Sequence, residues 1–172
     1  MRYWFVLAAA LLVAPCTLAA LPAPVKELAP EWRALGKGEL RWFGLAVYEA
    51  SLWVSGQRFE PEEPFALSLR YARNIPRAKL VSSSISEMRR LGHNDEDRLK
   101  SWQHHLERVF PDVKKGETIV GVSLPGRGAR FFHNGRPTGE IKDADFAQAF
   151  FAIWLDERTH SPELRARLLG GS

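Results

Sequence analysis

The spacing of apolar positions along this chain changes period three times, and each change marks a new kind of element. From Lys37 to Val54, glycines punctuate aromatic and branched residues of high strand propensity, which predicts paired strands. Gln57 to Pro64 is polar and broken by prolines, as a loop is. Phe65 to Tyr71 then alternates apolar with small or polar residues like a further strand. The period lengthens next: Leu80 or Val81, Ile85, Met88 and Leu91 recur at helical spacing, with Asn74 to cap the helix, Pro76 in its first turn and Gly92 to end it. A second helix begins at Asn94 or Asp95, carries a buried stripe of Leu99, Trp102, Leu106, Val109 and Phe110, and stops at Pro111.

Strand character returns over Thr118 to Leu124 and Ala129 to His133, and Asn134-Gly135 predicts a tight hairpin into Arg136 to Ile141. Asp143 is positioned to cap a helix whose apolar face is Phe146, Phe150, Ile153 and Trp154. Ser161-Pro162-Glu163 opens a short last helix. Strands, helices, strands and helices in that order predict an α+β fold, with helices packed over one face of a largely antiparallel sheet.

Residues 1–19 read differently. Arg2 is a short positive start, Trp4 to Ala14 is an apolar core, and Thr17-Leu18-Ala19 places small residues where signal peptidase cuts. The expectation is a signal peptide cleaved after Ala19 and a periplasmic or secreted mature protein. The apolar run is shorter than the roughly 20 residues a spanning helix needs, so no stable membrane span is expected. Pro15 before Cys16 argues against lipidation, since a small residue normally precedes a lipidated cysteine. Residues 20–30 form a proline-rich lead-in and residues 31–172 the domain proper. Cys16 is the only cysteine, so the mature chain has no disulfide, thiolate metal site or cysteine nucleophile. The net charge of +4 falls to +3 when Arg2 leaves with the leader. Basic residues come as pairs such as Arg89-Arg90 and Lys114-Lys115 among interspersed acids, so no nucleic-acid partner is expected.

No catalytic motif stands out. His104-His105 are adjacent and lack the i, i+4 placement that would set two ligands on one helix face, so no metal is expected. No serine has the Gly-x-Ser-x-Gly setting, and there is neither a phosphate loop nor a dinucleotide fingerprint, so no cofactor is expected. Ser82, Ser83, Ser84 and Ser86 either line a cleft or allow close packing of their helix.

Four segments carry a resemblance: Lys37 to Val54, Phe110 to Gly116, Gly128 to Gly135, and Phe151 to Leu155. Through them the chain resembles the chalcone-isomerase-like family, in its secreted bacterial branch. The resemblance implies an open-faced β-sandwich. In the plant enzymes of that family a phenolate adds to an enone within one molecule. An arginine assists, as do a threonine and tyrosine that order a water, and a lysine and asparagine on a helix. Carried onto this chain, the threonine falls at Phe43, the tyrosine at Pro76, the lysine at Lys79 and the asparagine at Ser83. The arginine falls at Arg33 or Arg41, with Arg41 preferred, and Thr138 resembles a small hydroxyl that precedes the C-terminal helical part. Tyr48 and Tyr71 are either core aromatics or the source of the phenol that Pro76 lacks.

With two hydroxyls missing, the catalytic residues stay unassigned. The expectation is non-catalytic binding of a small apolar or amphipathic molecule such as a fatty acid, which some relatives bind. Its site would draw on Arg41, Tyr48, Tyr71, Lys79, Ser83 and Thr138. Two alternatives stand: an isomerase or lyase with a different catalytic set, and a module whose exposed aromatic surface binds a protein partner.

Overall fold

Alternating apolar residues from Arg33 to Ile141 pair into one six-stranded antiparallel sheet in a computed structural model that describes residues 20–29 and 31–171. The strands are β1 (Arg33–Trp42), β2 (Leu45–Val54), β3 (Phe65–Tyr71), β4 (Thr118–Leu124), β5 (Gly128–His133) and β6 (Arg136–Ile141). They lie side by side in chain order, so every strand pairs with its sequence neighbours. A short α1 (Ala23–Lys26) precedes the sheet, α2 (Arg77–Arg90) and α3 (Glu96–Val109) join β3 to β4, and α4 (Ala144–Leu155) and α5 (Pro162–Leu168) close the chain. The expected leader, residues 1–19, lies outside the described residues. No helix among the described residues is long and apolar enough to cross a membrane.

The period of two decides what each face of the sheet meets. Ala50, Leu52 and Val54 of β2, Phe65, Leu67, Leu69 and Tyr71 of β3, and Phe131 of β5 point toward the longer helices and form the main core with them. The intervening Ala66 of β3, Val120, Val122 and Leu124 of β4, and Phe132 of β5 face the other way. The lead-in covers them, for Leu21 and Val25 are buried against that second cluster and the Trp32 indole donates to the Val25 carbonyl at 3.1 Å. The layer of helices on one face agrees with the sequence reading. Cover on the opposite face is an addition, supplied by a segment read only as an entry.

Local chemistry explains the helix ends. Asp95 caps α3 by accepting from the Asp97 and Arg98 N–H groups, and Asp143 caps α4 by accepting from Phe146 N–H at 2.9 Å. Asn74 does not cap α2 as expected. Its side chain accepts from Lys115 N–H at 2.9 Å, because Ile75 is held in a β-bridge with Val113 that turns Asn74 toward the neighbouring loop. The first N–H of α2, that of Arg77, instead donates to Asp112 at 2.7 Å.

Helix α5 docks on β1 through bare backbone. A Cβ placed on Gly36 would lie 2.0 Å from the Arg167 carbonyl oxygen and 2.6 Å from that of Leu168, both main-chain atoms that cannot swing aside. Gly36→Ala is therefore expected to lower stability by about 1–3 kcal/mol, the usual cost of overpacking, by pushing α5 off the sheet. Urea unfolding measures the loss, and amide exchange should locate it in α5; an unchanged midpoint would refute this account of the docking.

Candidate ligand site

The layer between sheet and helices is mostly hydrocarbon, which makes the few polar groups inside it informative. Tyr48 of β2 and Tyr71 of β3 are direct partners across the antiparallel ladder, and their rings meet edge to face with centroids 6.0 Å apart. Both side chains point toward the helices, Tyr71 being only 5% exposed. From α4, the Trp154 indole N–H donates to Tyr48 Oη at 2.9 Å. That bond uses an acceptor site of the phenol and leaves its own proton free to be donated. Tyr71 Oη has no protein hydrogen-bond partner among the described residues and is not fully closed off from solvent; the sealed side-chain polar atom without a partner there is Trp53 Nε1.

Both phenols are held in the protonated form. Burial, above all, pushes the Tyr48 hydroxyl up to about 12, with the Trp154 bond pulling against it and the negative charge of Glu87 adding to it. Burial also raises Tyr71, and the neighbouring Tyr48 adds to the effect. The pair thus offers two neutral O–H donors in an apolar setting, suited to an acceptor oxygen such as that of a carbonyl or carboxyl group. They share the main core with Val81, Ile85 and Met88 of α2 and a group of rings from α3, α4 and the sheet. Ser84 is buried on α2 but bonds back to the Leu80 carbonyl at 2.9 Å, so its hydroxyl is already satisfied.

The six residues singled out from the sequence do not form one site. Tyr48 and Tyr71 meet. Arg41 lies at the exposed end of the β1–β2 hairpin, ion-paired with Glu39 and donating to the Gly44 carbonyl at 3.0 Å. Lys79 and Ser83 are exposed on α2, and the buried serine of that run is Ser84. Thr138 is exposed on β6, three strands away from Tyr71, where it lines a surface groove of about 360 Å³ with His105 and Arg108 of α3. Phe43, at the position carried over from the catalytic threonine, occupies the β1–β2 turn. Pro76 is the N-cap residue of α2. From the sequence, Trp154 is one residue of an apolar helix face and nothing more. Its bond to Tyr48 joins residues 106 apart in the chain, and no local pattern announces it.

The interior layer is filled by its own side chains. Phe110, Phe131, Phe146 and Phe150 stack and abut with centroid separations from 5.4 to 6.4 Å, and Trp154 packs on Phe150 at 5.3 Å. A molecule entering beside the tyrosines must displace side chains of α2 or α4. Helix α2 packs chiefly on α3 and α4.

Comparison with known proteins fits this architecture. An uncharacterised protein of Haemophilus influenzae is 32% identical over 140 residues, 81% of this chain and 68% of its own length. The crystal structure of a fatty-acid binding protein from Arabidopsis thaliana superposes with a TM-score of 0.62 at 14% identity, covering 81% of this chain and 87% of the other. That likeness is one of fold. The model of the chalcone isomerase-like family matches residues 36–170, and with the sheet order and helical layer described above it shows that the chain belongs to the chalcone isomerase-like family.

Proposed function

We propose that this protein binds a small amphipathic molecule of the fatty-acid class between the sheet and helices α2 and α4, without catalysing a cyclisation. The observation that carries the reading is the Tyr48–Tyr71 pair, two protonated phenols side by side in an apolar layer, one of them without a partner among the described residues. Such a pair suits the oxygen of a carboxyl head group, while the surrounding rings and aliphatic side chains suit its tail. The Arabidopsis protein of the same fold is a fatty-acid binding protein, which supports this ligand class over others. Absence of catalysis is supported by chemistry: neither the Phe43 nor the Pro76 side chain carries a hydroxyl to order a water. Export, as inferred from the leader, would place binding in the periplasm or outside the cell.

Because the layer is filled, binding is coupled to movement of α2, and the affinity is reduced by the work of opening. Head-group recognition then rests on the phenols, with Arg41 and Lys79 left at the solvent. Titration of delipidated protein with a long-chain acid and its methyl ester, followed by calorimetry, tests this. The acid should bind, and Tyr71→Phe should weaken it by roughly tenfold, the worth of about 1.4 kcal/mol. Arg41→Met and Lys79→Met should leave the affinity within about twofold, well under that 1.4 kcal/mol. If the cation variants lose binding and Tyr71→Phe does not, the phenols are not the head-group site. If neither acid nor ester binds, the ligand reading fails.

A further inference from the structure

Among the described residues, two two-residue hairpins have matching φ angles and opposite chemistry. At the β5–β6 turn, Asn134 and Gly135 have φ of 48° and 81°; at the β1–β2 turn, Phe43 and Gly44 have φ of 48° and 77°. Asparagine and glycine are the residues such a turn favours, and Asn134 adds reciprocal bonds with the Thr118 main chain at 2.9 Å. A phenylalanine in the left-handed region is a rare outlier. Phe43 is also 89% exposed, and beside it Trp42 is 64% and Leu45 58% exposed, the large exposed hydrophobic residues among those described. Neither packing nor turn preference accounts for this tip, so its explanation lies outside the folded chain.

We infer that the Trp42-Phe43-Gly44-Leu45 tip inserts into the surface of a phospholipid bilayer. Its shape fits a yielding partner. The Trp42 and Phe43 rings meet edge to face at 5.3 Å and form a wedge that projects from a tight turn. The turn is braced by the Arg41 bond to the Gly44 carbonyl. The three side chains expose roughly 500 Å² in all, and two tips joined would bury roughly twice that. A stable dimer needs about 1,200–2,000 Å², so a second copy is poorly served, whereas interfacial insertion is achieved by a few aromatic and aliphatic side chains. Charge is compatible as well. From Leu40 to Tyr48 the one charged residue is Arg41, and the acids behind the tip, Glu39 and Glu49, are matched by Arg41 and Arg70. No uncompensated negative charge from these strands meets the headgroups.

Flotation with vesicles of phosphatidylethanolamine and phosphatidylglycerol tests the inference, with wild type and variants prepared in the same N-terminal form. Wild type should co-float. The Phe43→Asn, Leu45→Ser double variant should partition roughly tenfold less, in proportion to the apolar area lost. The double variant should melt close to wild type, because asparagine suits the turn and Leu45 is exposed, so loss of binding cannot be ascribed to unfolding. Brominated lipid should quench wild-type tryptophan fluorescence, and Trp42→Phe should co-float with that quenching lost. The inference is overturned if wild type stays with the soluble fraction, if the double variant floats equally well, or if quenching survives Trp42→Phe. A dimer in sedimentation velocity that the double variant abolishes would overturn it in favour of a second copy. A protein partner captured only by the wild-type tip, without vesicle binding, would overturn it likewise.

Discussion

Phe131→Ala is expected to cost about 3–5 kcal/mol of folding stability, the range for emptying a phenylalanine from a core that cannot close around the gap. Phe131 is fully buried at the centre of the ring cluster, with Phe110 at 5.5 Å, Phe150 at 5.4 Å and Phe146 at 6.4 Å. These rings come from the end of α3, from α4 and from β5, so a collapse would have to move two helices and a strand together. Urea denaturation should show a lower midpoint with an unchanged slope, the sign of lost stability without a changed unfolded state. A loss under about 1.5 kcal/mol would mean that the layer repacks freely. The vacated space is apolar and should stay dry. Small aromatic molecules should therefore raise the melting temperature of the variant, and their failure to do so would indicate that the cavity has closed.

Asp143→Ala is expected to cost about 2–4 kcal/mol, because one carboxylate serves two elements. One oxygen accepts from Phe146 N–H at the start of α4, and the other accepts from the buried Trp102 indole of α3 at 2.8 Å. Removing it takes away a helix cap and leaves an indole N–H unpaired in the core. A double-mutant cycle with Trp102→Phe should show coupling of about 0.5–3 kcal/mol, and additive losses would refute the shared role. The pH dependence has a definite sign. Burial, the largest influence, pushes the Asp143 carboxyl up. It is outweighed by bonds from Phe146 N–H, the Trp102 indole and Asp145 N–H and by the charge of Arg98, so the net shift is downward from 3.8. A carboxyl depressed in the folded state contributes stability that is present above its unfolded value and is lost as pH falls through its folded one. Asp156, held down at about 2 chiefly by Arg158, behaves in the same sense. Comparing wild type with Asp143→Asn isolates the Asp143 share: the stability difference should shrink as pH falls below about 4, and a difference that grows there would refute the sign.

Much of the architecture follows from the sequence alone because strand and helix periods are local properties. The strands from Phe65, Thr118 and Arg136, the capping Asp143, a cap at Asn94 or Asp95 that the structure resolves to Asp95, and the Asn134-Gly135 hairpin depend on neighbours within a few residues, so they can be read without a fold. The family follows too, from the segments that carry its resemblance. Tertiary structure alone decided where the chemistry meets. A register shift between Leu40 and Arg41 belongs to the pairing of β1 with β2, and the arginine ends among solvent, Glu39 and the turn. Tyr48 and Tyr71 became partners through strand register, and Trp154 reached Tyr48 from the far end of the chain. The lead-in became a cover because β3 and β4 present apolar residues on both faces, and its place there depends on the assembled sheet. Phe43 looked like one more strand aromatic. Only the backbone of the turn, with φ of 48°, shows a bulky ring held outward at the tip. Side-chain period is set by the residue and its neighbours, whereas register, long-range hydrogen bonds and exposure arise from elements packed against one another, and these place the tyrosines inside and the aromatic tip outside.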